Sequence, residues 1–236
     1  MSENIVASKI SIIIPTFNEE KNIKEAIATT QISTNIEVIV VDGGSSDDTA
    51  AIAQSLGVKV ISSSPGRAIQ MNTGAVAASG DILLFLHADT HLPAGFDEII
   101  CTALQQPGTV AGAFNLRIDS SLLSLRWVEL GVKWRSHFCQ MPYGDQAIFL
   151  TKAVFQQIGG FPELPIMEDF ELVRRLKAIG RITIISAPVV TSARRWLQKG
   201  VLKTTLLNQI VIIAYLLGVS PERIRGWYRR EKFKRI

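Results

Sequence analysis

Apolar residues fall in four short runs through the first third of the chain, Ile10 to Ile14, Ile36 to Val41, Val58 to Ile61 and Ile82 to Leu86, each rich in β-branched side chains. Between the first three runs the apolar spacing becomes helical. Ile23, Ala26, Ile27 and Thr30 share one face behind Asn18, Glu19 and Glu20, and Ile52, Ala53 and Leu56 share another behind Ser46, Asp47 and Asp48. Asn18 and Ser46 are read as N-caps with acids in the first turn, and Gly57 as a stop. Unbroken apolar strands alternating with amphipathic helices predict a mostly parallel sheet covered on both faces.

After Leu86 the alternation loosens. Pro93-Ala94-Gly95 breaks the chain before a helix to about Leu104, a strand is expected over Val110 to Ile118, and a helix over Ser121 to Arg135. Ala147 to Leu150 reads as a strand, Thr151 as the cap of a short helix ending at Gly159-Gly160, Glu168 to Ile179 as a helix and Ile182 to Ile185 as a strand. Val201 to Val219 is strongly apolar, but Lys203, Asn208 and Gln209 interrupt it, so a helix packed on the domain or lying in a membrane interface is expected rather than a span. The division expected is residues 1–200 as one domain and 201–236 as an apolar helix with a basic tail.

Hydrophobic residues make up 47% of the 236, enough for a layered core, which excludes a disordered or fibrous chain. The formal charge of +4 is concentrated in Arg223, Arg225, Arg229, Arg230, Lys232, Lys234 and Arg235. Beside the apolar helix, that tail is read as solvated or as touching anionic lipid at the inner face of a membrane; nucleic acid is not expected. Cys101 and Cys139 are the only cysteines and no leader-like segment opens the sequence, so a cytoplasmic protein without disulfides is expected. Oligomeric state is not indicated.

The first strand runs into Pro15-Thr16-Phe17-Asn18-Glu19, without the glycine-rich turn of a dinucleotide-binding fold. The second ends in Asp42-Gly43-Gly44-Ser45-Ser46-Asp47, which puts a carboxylate at the carboxyl edge where open α/β sheets bind ligands. Asp42 can accept hydrogen bonds from a base or ribose there, or simply cap the next helix. His87-Ala88-Asp89 follows the fourth run and sends Asp89 from the same edge; a hard divalent cation bridging a diphosphate prefers such an oxygen, and His87 is a further candidate ligand, a phosphate partner or a polar strand end. Arg67 opens a helix and can face a phosphate or solvent. Glu168-Asp169 begin a helix, where acids are stabilised by the dipole and where a fixed carboxylate can act as a base.

Taken in order, Pro15-Thr16-Phe17-Asn18-Glu19, the Asp42 segment, Asp89 and Glu168-Asp169 resemble the family 2 glycosyltransferases of the GT-A fold over about residues 9 to 197. Gly66-Arg67 with Gln70-Met71-Asn72, His87-Ala88-Asp89-Thr90, Gly144-Asp145-Gln146 and Ser192-Ala193-Arg194-Arg195-Trp196 resemble a small bacterial subgroup, some members of which are named for carotenoid-acid glucosylation. The resemblance implies a Rossmann-like, mostly parallel mixed sheet flanked by helices, with C-terminal helices. It implies that Pro15, Thr16, Asn18, Glu19, Asp42, Arg67 and Asp89 serve a nucleotide-diphosphate sugar, with uracil the expected base, and that Asp169 is the general base with Glu168 in support. Asp89 matches the last acid of an Asp-x-Asp metal motif for Mn2+ or Mg2+, and His87 departs from its first. Arg195-Trp196 match the end of the processive Gln-x-x-Arg-Trp motif, but Ser192 replaces its glutamine, which favours a single transfer. Trp196 is a candidate stacking surface for an acceptor, Arg194 and Arg195 for the leaving diphosphate, and Gly144, Asp145 and Gln146 for the acceptor side, a turn before a strand being an equal reading of those three.

The expected reaction is inverting transfer from a UDP-sugar to a hydroxyl or carboxyl of a small-molecule, lipid or carotenoid-like acceptor. A sugar nucleotidyltransferase and a non-catalytic nucleotide-sugar sensor or scaffold are the rival readings.

Overall fold

The computed structural model describes residues 8–31 and 35–230. Eight strands form one sheet in the order β3-β2-β1-β4-β7-β6-β8-β5. β1 (Ile10–Thr16) is central to the first half and pairs in parallel with β2 (Ile36–Asp42) and β4 (Ile82–Phe85), while β3 (Lys59–Ser62) extends β2 in parallel. The second half is mixed: β7 (Phe149–Thr151) runs antiparallel to both β4 and β6 (Thr109–Asp119), β8 (Arg181–Ser192) lies parallel to β6, and the short β5 (Thr90–His91) is antiparallel to β8.

The apolar runs are continuous because both faces of the sheet are covered. Alternate residues of a strand point to opposite sides. Ile12, Ile14, Val38 and Val40 join one core with Ile23, Ile27 and Phe96, whereas Ile13, Ile39 and Val41 join the other with Met71, Leu172 and Leu176. α1 (Ile23–Ala28) and α4 (Phe96–Leu104) contribute to the first core, and α3 (Arg67–Ala77) and α7 (Glu168–Ile179) to the second. Gly74 lets α3 sit close on β1, since a Cβ there would lie 2.4 Å from Ile13 Cγ2.

Two helix starts differ from the expectation. α1 has Asn22 rather than Asn18 at its N-cap, and α2 (Thr49–Ser55) has Asp48 rather than Ser46. Asn18 and Ser46 are drawn across to each other: Asn18 adopts a left-handed φ of 56°, and its Oδ1 accepts from Ser46 N at 2.8 Å. A side chain satisfied across two loops cannot also cap its own helix. Thr151 does cap α6 (Lys152–Gln157), accepting from Val154 N at 3.3 Å.

α5 (Leu123–Cys139) runs past its expected end at Arg135, and β8 is far longer than Ile182 to Ile185 because a register shift carries its pairing with β6 past Pro188. A 3-10 turn, Gly144–Gln146, precedes β7. The chain then continues through α8 (Arg194–Lys199), α9 (Val201–Leu216) and α10 (Pro221–Arg230). Val211 and Ala214 of α9 and Ile224 of α10 pack with Met167 and Phe170 at the start of α7. Among the described residues no helix is long and apolar enough to cross a membrane. Lys232, Lys234 and Arg235 of the basic tail lie outside them.

Candidate active site

The carboxyl ends of β2, β1 and β4 lie side by side, so the loops that follow them share one rim. Asp42, nearly inaccessible, accepts through Oδ2 from the backbone N–H groups of Gly44 and Ser45, at 3.0 and 2.9 Å, and through Oδ1 from the Ser45 hydroxyl at 2.5 Å. The Thr16 hydroxyl reaches the same Oδ1 at 3.3 Å. Asn18 N–H donates to Ser45 Oγ at 2.9 Å, and the buried Gln70 amide donates to the Thr16 and Val41 carbonyls at 2.7 and 2.8 Å. The two loops are thereby bonded into one shelf. Pro15 lies half-buried opposite Val41 at its edge. Gln70 was quoted in the sequence as part of a motif; only the fold shows that its amide ties two strand ends together.

Glu19, at the far end of the first loop, holds Arg194 by contacts of 3.0 and 3.1 Å, and the same guanidinium nitrogen lies 3.5 Å from Asp89 Oδ2. β5 and β8 explain the meeting: their pairing carries residues 192–194 back beside Asp89, whose carbonyl accepts from Ser192 N. Burial first, and then the nearby charge of Glu19, push the Asp89 carboxyl above its ordinary value, with Arg194 and Arg67 opposing.

Arg67 spans the gap to the second half. Its Nη1 faces Glu168 Oε1 at 3.7 Å, and its charge is felt at His87, Asp89 and Asp145. Burial and Arg67 push the His87 imidazole down to about 3, so the ring is neutral. Glu168 is pushed up by burial and by Asp169 beside it, with Arg67 opposing. Asp169 Oδ2 accepts from Gly144 N at 2.8 Å, and its Oδ1 accepts from Phe170 N at 2.7 Å. Gly144 is the hinge of this arrangement: a Cβ built on it would lie 3.2 Å from Asp169 Oδ2 and 3.2 Å from His87 Nε2. Two left-handed non-glycine residues frame the segments, Ala147 (φ 49°) after the 3-10 turn and Met167 (φ 72°) immediately before α7. Such conformations cost about 1 kcal/mol or more and persist where surrounding packing enforces them.

Three expected acceptor-side or phosphate-side residues occupy different places. Gln146 is fully buried, accepting from Arg135, Ser136 and Tyr143 and donating to the Phe114 carbonyl, so it fixes the turn and does not line a cleft. Trp196 is not an open stacking surface: it packs into the core that holds Val189 and Ala193, and its Nε1 has no hydrogen-bond partner among the described residues. Arg195 donates to Asn208 Oδ1 at 3.0 Å and lies 4.6 Å from the Tyr228 ring centre, on the side of the C-terminal helices, while its charge is still felt at Asp145. Asp145 remains at the site, its Oδ1 buried and without a partner among the described residues. Burial pushes that carboxyl up; Arg135 opposes this and Asp169 adds to it.

A shelf of hydrogen-bond acceptors, a paired arginine at its outer edge and a fixed carboxylate opposite can together hold a polar, anionic ligand and take a proton from a second one. No group of three or more His, Cys, Asp or Glu among the described residues is placed to hold a metal ion. A Mg2+-like cation is commonly held by only one or two carboxylates, with substrate phosphates and water completing its shell. The Asp89 carboxylate on the rim fits that donor set, with the neutral His87 two residues before it.

Residues 11–155 match the model for glycosyl transferase family 2. A Rickettsia conorii protein described as an uncharacterized glycosyltransferase is 30% identical over 190 residues, 72% of this chain and 31% of its own length. A Staphylococcus haemolyticus 4,4'-diaponeurosporenoate glycosyltransferase is 35% identical over 99 residues, 38% of this chain and 26% of its own. The chain thus spans less than a third of the length of these curated relatives. Among solved structures, a Pyrobaculum calidifontis mannosyltransferase in complex with GDP-mannose and Mn2+ superposes with a TM-score of 0.61 at 21% identity, covering 78% of this chain and 56% of that one. S. aureus TarS residues 1–349 with UDP-GlcNAc superposes with a TM-score of 0.62 at 20% identity, covering 78% and 58%. The fold is that of the GT-A glycosyltransferases.

Proposed function

The chain belongs to glycosyl transferase family 2, and from that premise we propose that it is an inverting glycosyltransferase using a nucleotide-diphosphate sugar, with Asp169 as general base. The observation that carries the reading is the placement of Asp169: a carboxylate fixed by the Gly144 N–H at a helix start, joined through the Arg67–Glu168 pair to the rim that bears Asp42 and Asp89. The shelf of Thr16, Asn18 and Asp42 receives the nucleoside, with Pro15 at its edge. Glu19 orients Arg194, and Arg194 and Arg67 meet the diphosphate. UDP is the nucleotide favoured, consistent with the UDP-GlcNAc bound by the TarS neighbour. A Mn2+ or Mg2+ ion held by Asp89 and the donor's own oxygens supplies positive charge against the diphosphate when bound.

Asp169 takes the proton of the acceptor hydroxyl while that oxygen bonds to the anomeric carbon from the side opposite the diphosphate. The bond from that carbon to the diphosphate oxygen breaks, its electron pair leaves with the nucleoside diphosphate, and the configuration inverts. Glu168, held towards its neutral form by burial, supports Asp169 without competing for the same proton. Gly144 and Asp145 lie on the acceptor side. The test is D169N with UDP-glucose as probe donor and manganese present. UDP release should fall about 10²- to 10⁴-fold while calorimetric UDP binding is kept; undiminished turnover would remove Asp169 from this role.

Peripheral contact with an anionic bilayer, at the inner face of the cell membrane, is part of the same proposal, and α5 is its strongest support. Leu125, Val128 and Val132 turn one face of α5 inward, while Leu123, Trp127, Leu130, Trp134 and Phe138 form a second stripe facing outward, with Trp127 72% and Phe138 76% exposed. Indole rings favour the boundary between lipid and water, and Lys133 flanks the stripe. α9 repeats the arrangement with Leu202, Leu206, Ile210 and Ile213 outward.

A further inference from the structure

Beside Asp169 a groove of about 420 Å³ opens between α5, α7 and α9. Phe170, Arg174 and Lys177 form its α7 wall, and their spacing of four and three residues puts them on one face of the helix, starting at the residue after Asp169. α9 supplies Ile212 and Leu216 opposite, together with Gln209. The end near the site is closed by Tyr143, which directly precedes Gly144, and the Arg135 guanidinium lies 3.4 Å from the centre of that ring.

The lining divides sharply by chemistry. Met141, Phe170, Ile212 and Leu216 are apolar, Tyr143 and Gln209 are its uncharged polar side chains, and its charged members are all cations. Lys177 and the arginine pair on α7 keep net positive charge. Lys177 Nζ donates to the Cys139 carbonyl, a neutral acceptor, whereas Arg135, bonded to the Met141 carbonyl and to Gln146 Oε1, also faces the charge of the buried Asp145. Glu171, the carboxylate behind this face, is held by Arg174 through two bonds of 2.9 Å and lies 3.7 Å from Arg175, so one carboxylate stands against two guanidinium groups. A polyol acceptor would leave the apolar walls without a match, and a cationic one would be repelled.

Resting on the transferase reading of Asp169, we propose that this groove binds the acceptor and that the acceptor is an anionic amphiphile. It is an alcohol on an apolar body that carries a separate carboxylate or phosphate, held by Arg174 and Lys177. At the α-helical rise, those two residues stand about 7 and 12 Å along α7 from Asp169, which sets the separation between the reacting hydroxyl and the anion. The anion and the nucleophile are different groups because a carboxylate arrives already ionised and has no need of a base.

The test uses the full chain with four probes of one length: 10-hydroxydecanoate, 10-hydroxydecyl phosphate, 1,10-decanediol and 10-amino-1-decanol. Calorimetry should rank the anions above the diol and the diol above the amine. Arg174 and Lys177 are exposed, so R174Q/K177Q should fold; it should weaken the anions about fivefold to twentyfold, leaving diol and UDP binding unchanged. Comparing the two anions identifies the preferred head group. Equal binding of diol and anions, or undiminished anion binding by the double variant, overturns the proposal. The two readings fail separately: anion binding without consumption of any nucleotide sugar removes the transferase, whereas D169N-sensitive UDP release without anion preference removes only the acceptor class.

Discussion

Replacing Gly144 by alanine tests the site at the one point where its acceptor-side groups meet. The glycine has no positive φ, so alanine fits the backbone and the perturbation is purely steric. The new methyl would lie 3.2 Å from Asp169 Oδ2, 3.2 Å from His87 Nε2 and 3.4 Å from Asp169 Cβ, so these neighbours must yield by a few tenths of an ångström. A misplacement of about 1 Å costs on the order of 100-fold in rate, so a shift of that size costs roughly fourfold. Lengthening the Gly144 N–H bond to Asp169, now 2.8 Å, weakens a contact worth about 1 kcal/mol and adds a similar factor. The expected loss in kcat is roughly fifteenfold, and larger for the β-branched G144V. Stability should barely change, because the lower chain entropy of unfolded alanine, about 0.4–1 kcal/mol, offsets the crowding. Thermal melting, UDP calorimetry and manganese-supported UDP release from UDP-glucose check these three quantities. Unchanged kcat in a folded G144A protein, or a loss that falls on UDP affinity instead, would refute the shared junction of Asp169 and His87.

Asp145 carries an unpartnered buried oxygen and a carboxyl raised above 3.8. A carboxyl raised in the folded state binds its proton more tightly there than in the unfolded chain, so native stability falls as pH rises from about 4 through the raised value. D145N should accordingly melt higher at pH 7, by roughly 1 kcal/mol of stability, with the gain vanishing towards pH 3; a pH-independent gain would show that charge is not the cause. W127S/W134S should reduce flotation with anionic vesicles at least about tenfold, since each indole removed from water contributes about 2 kcal/mol, while UDP binding stays intact. Retained flotation would release the α5 stripe from lipid contact.

β1, β2 and β4 were readable because burial on both faces leaves an unbroken apolar run, and Asp42 and Asp89 because a carboxylate just past such a run must emerge at the sheet's carboxyl edge. What joins them was not readable. The Arg67–Glu168 contact brings together residues a hundred positions apart in the chain, and Arg194 reaches Glu19 only because the two-residue β5 pins β8 beside Asp89. Polar cross-links of this kind leave no periodicity. The same blindness misassigned Asn18 and Ser46, each a sound local cap whose better partner lies in the other loop, and left Gln146 and Trp196 as candidates for a cleft that neither one lines.

α9 was ambiguous for a different reason, and the outward face of α5 went unread for the same one. A helix with one apolar stripe for the core and another for an outside surface has apolar residues on most sides, which in sequence reads as burial. The structure separates the stripes and shows what the inner one does. Val211 and Ala214 of α9 press on Met167 and Phe170, the residues that bracket Glu168 and Asp169, and Met167 holds the left-handed turn from which α7 starts. The outer side of the same helix carries Leu202 and Leu206, and Ile212 and Leu216 border the groove. One helix thus has a face to the outside, a face to the acceptor groove and a face against the start of the helix that bears Asp169. Displacing α9 must alter the packing on which the orientation of Asp169 depends, so a surface that settles α9 in place also settles the carboxylate.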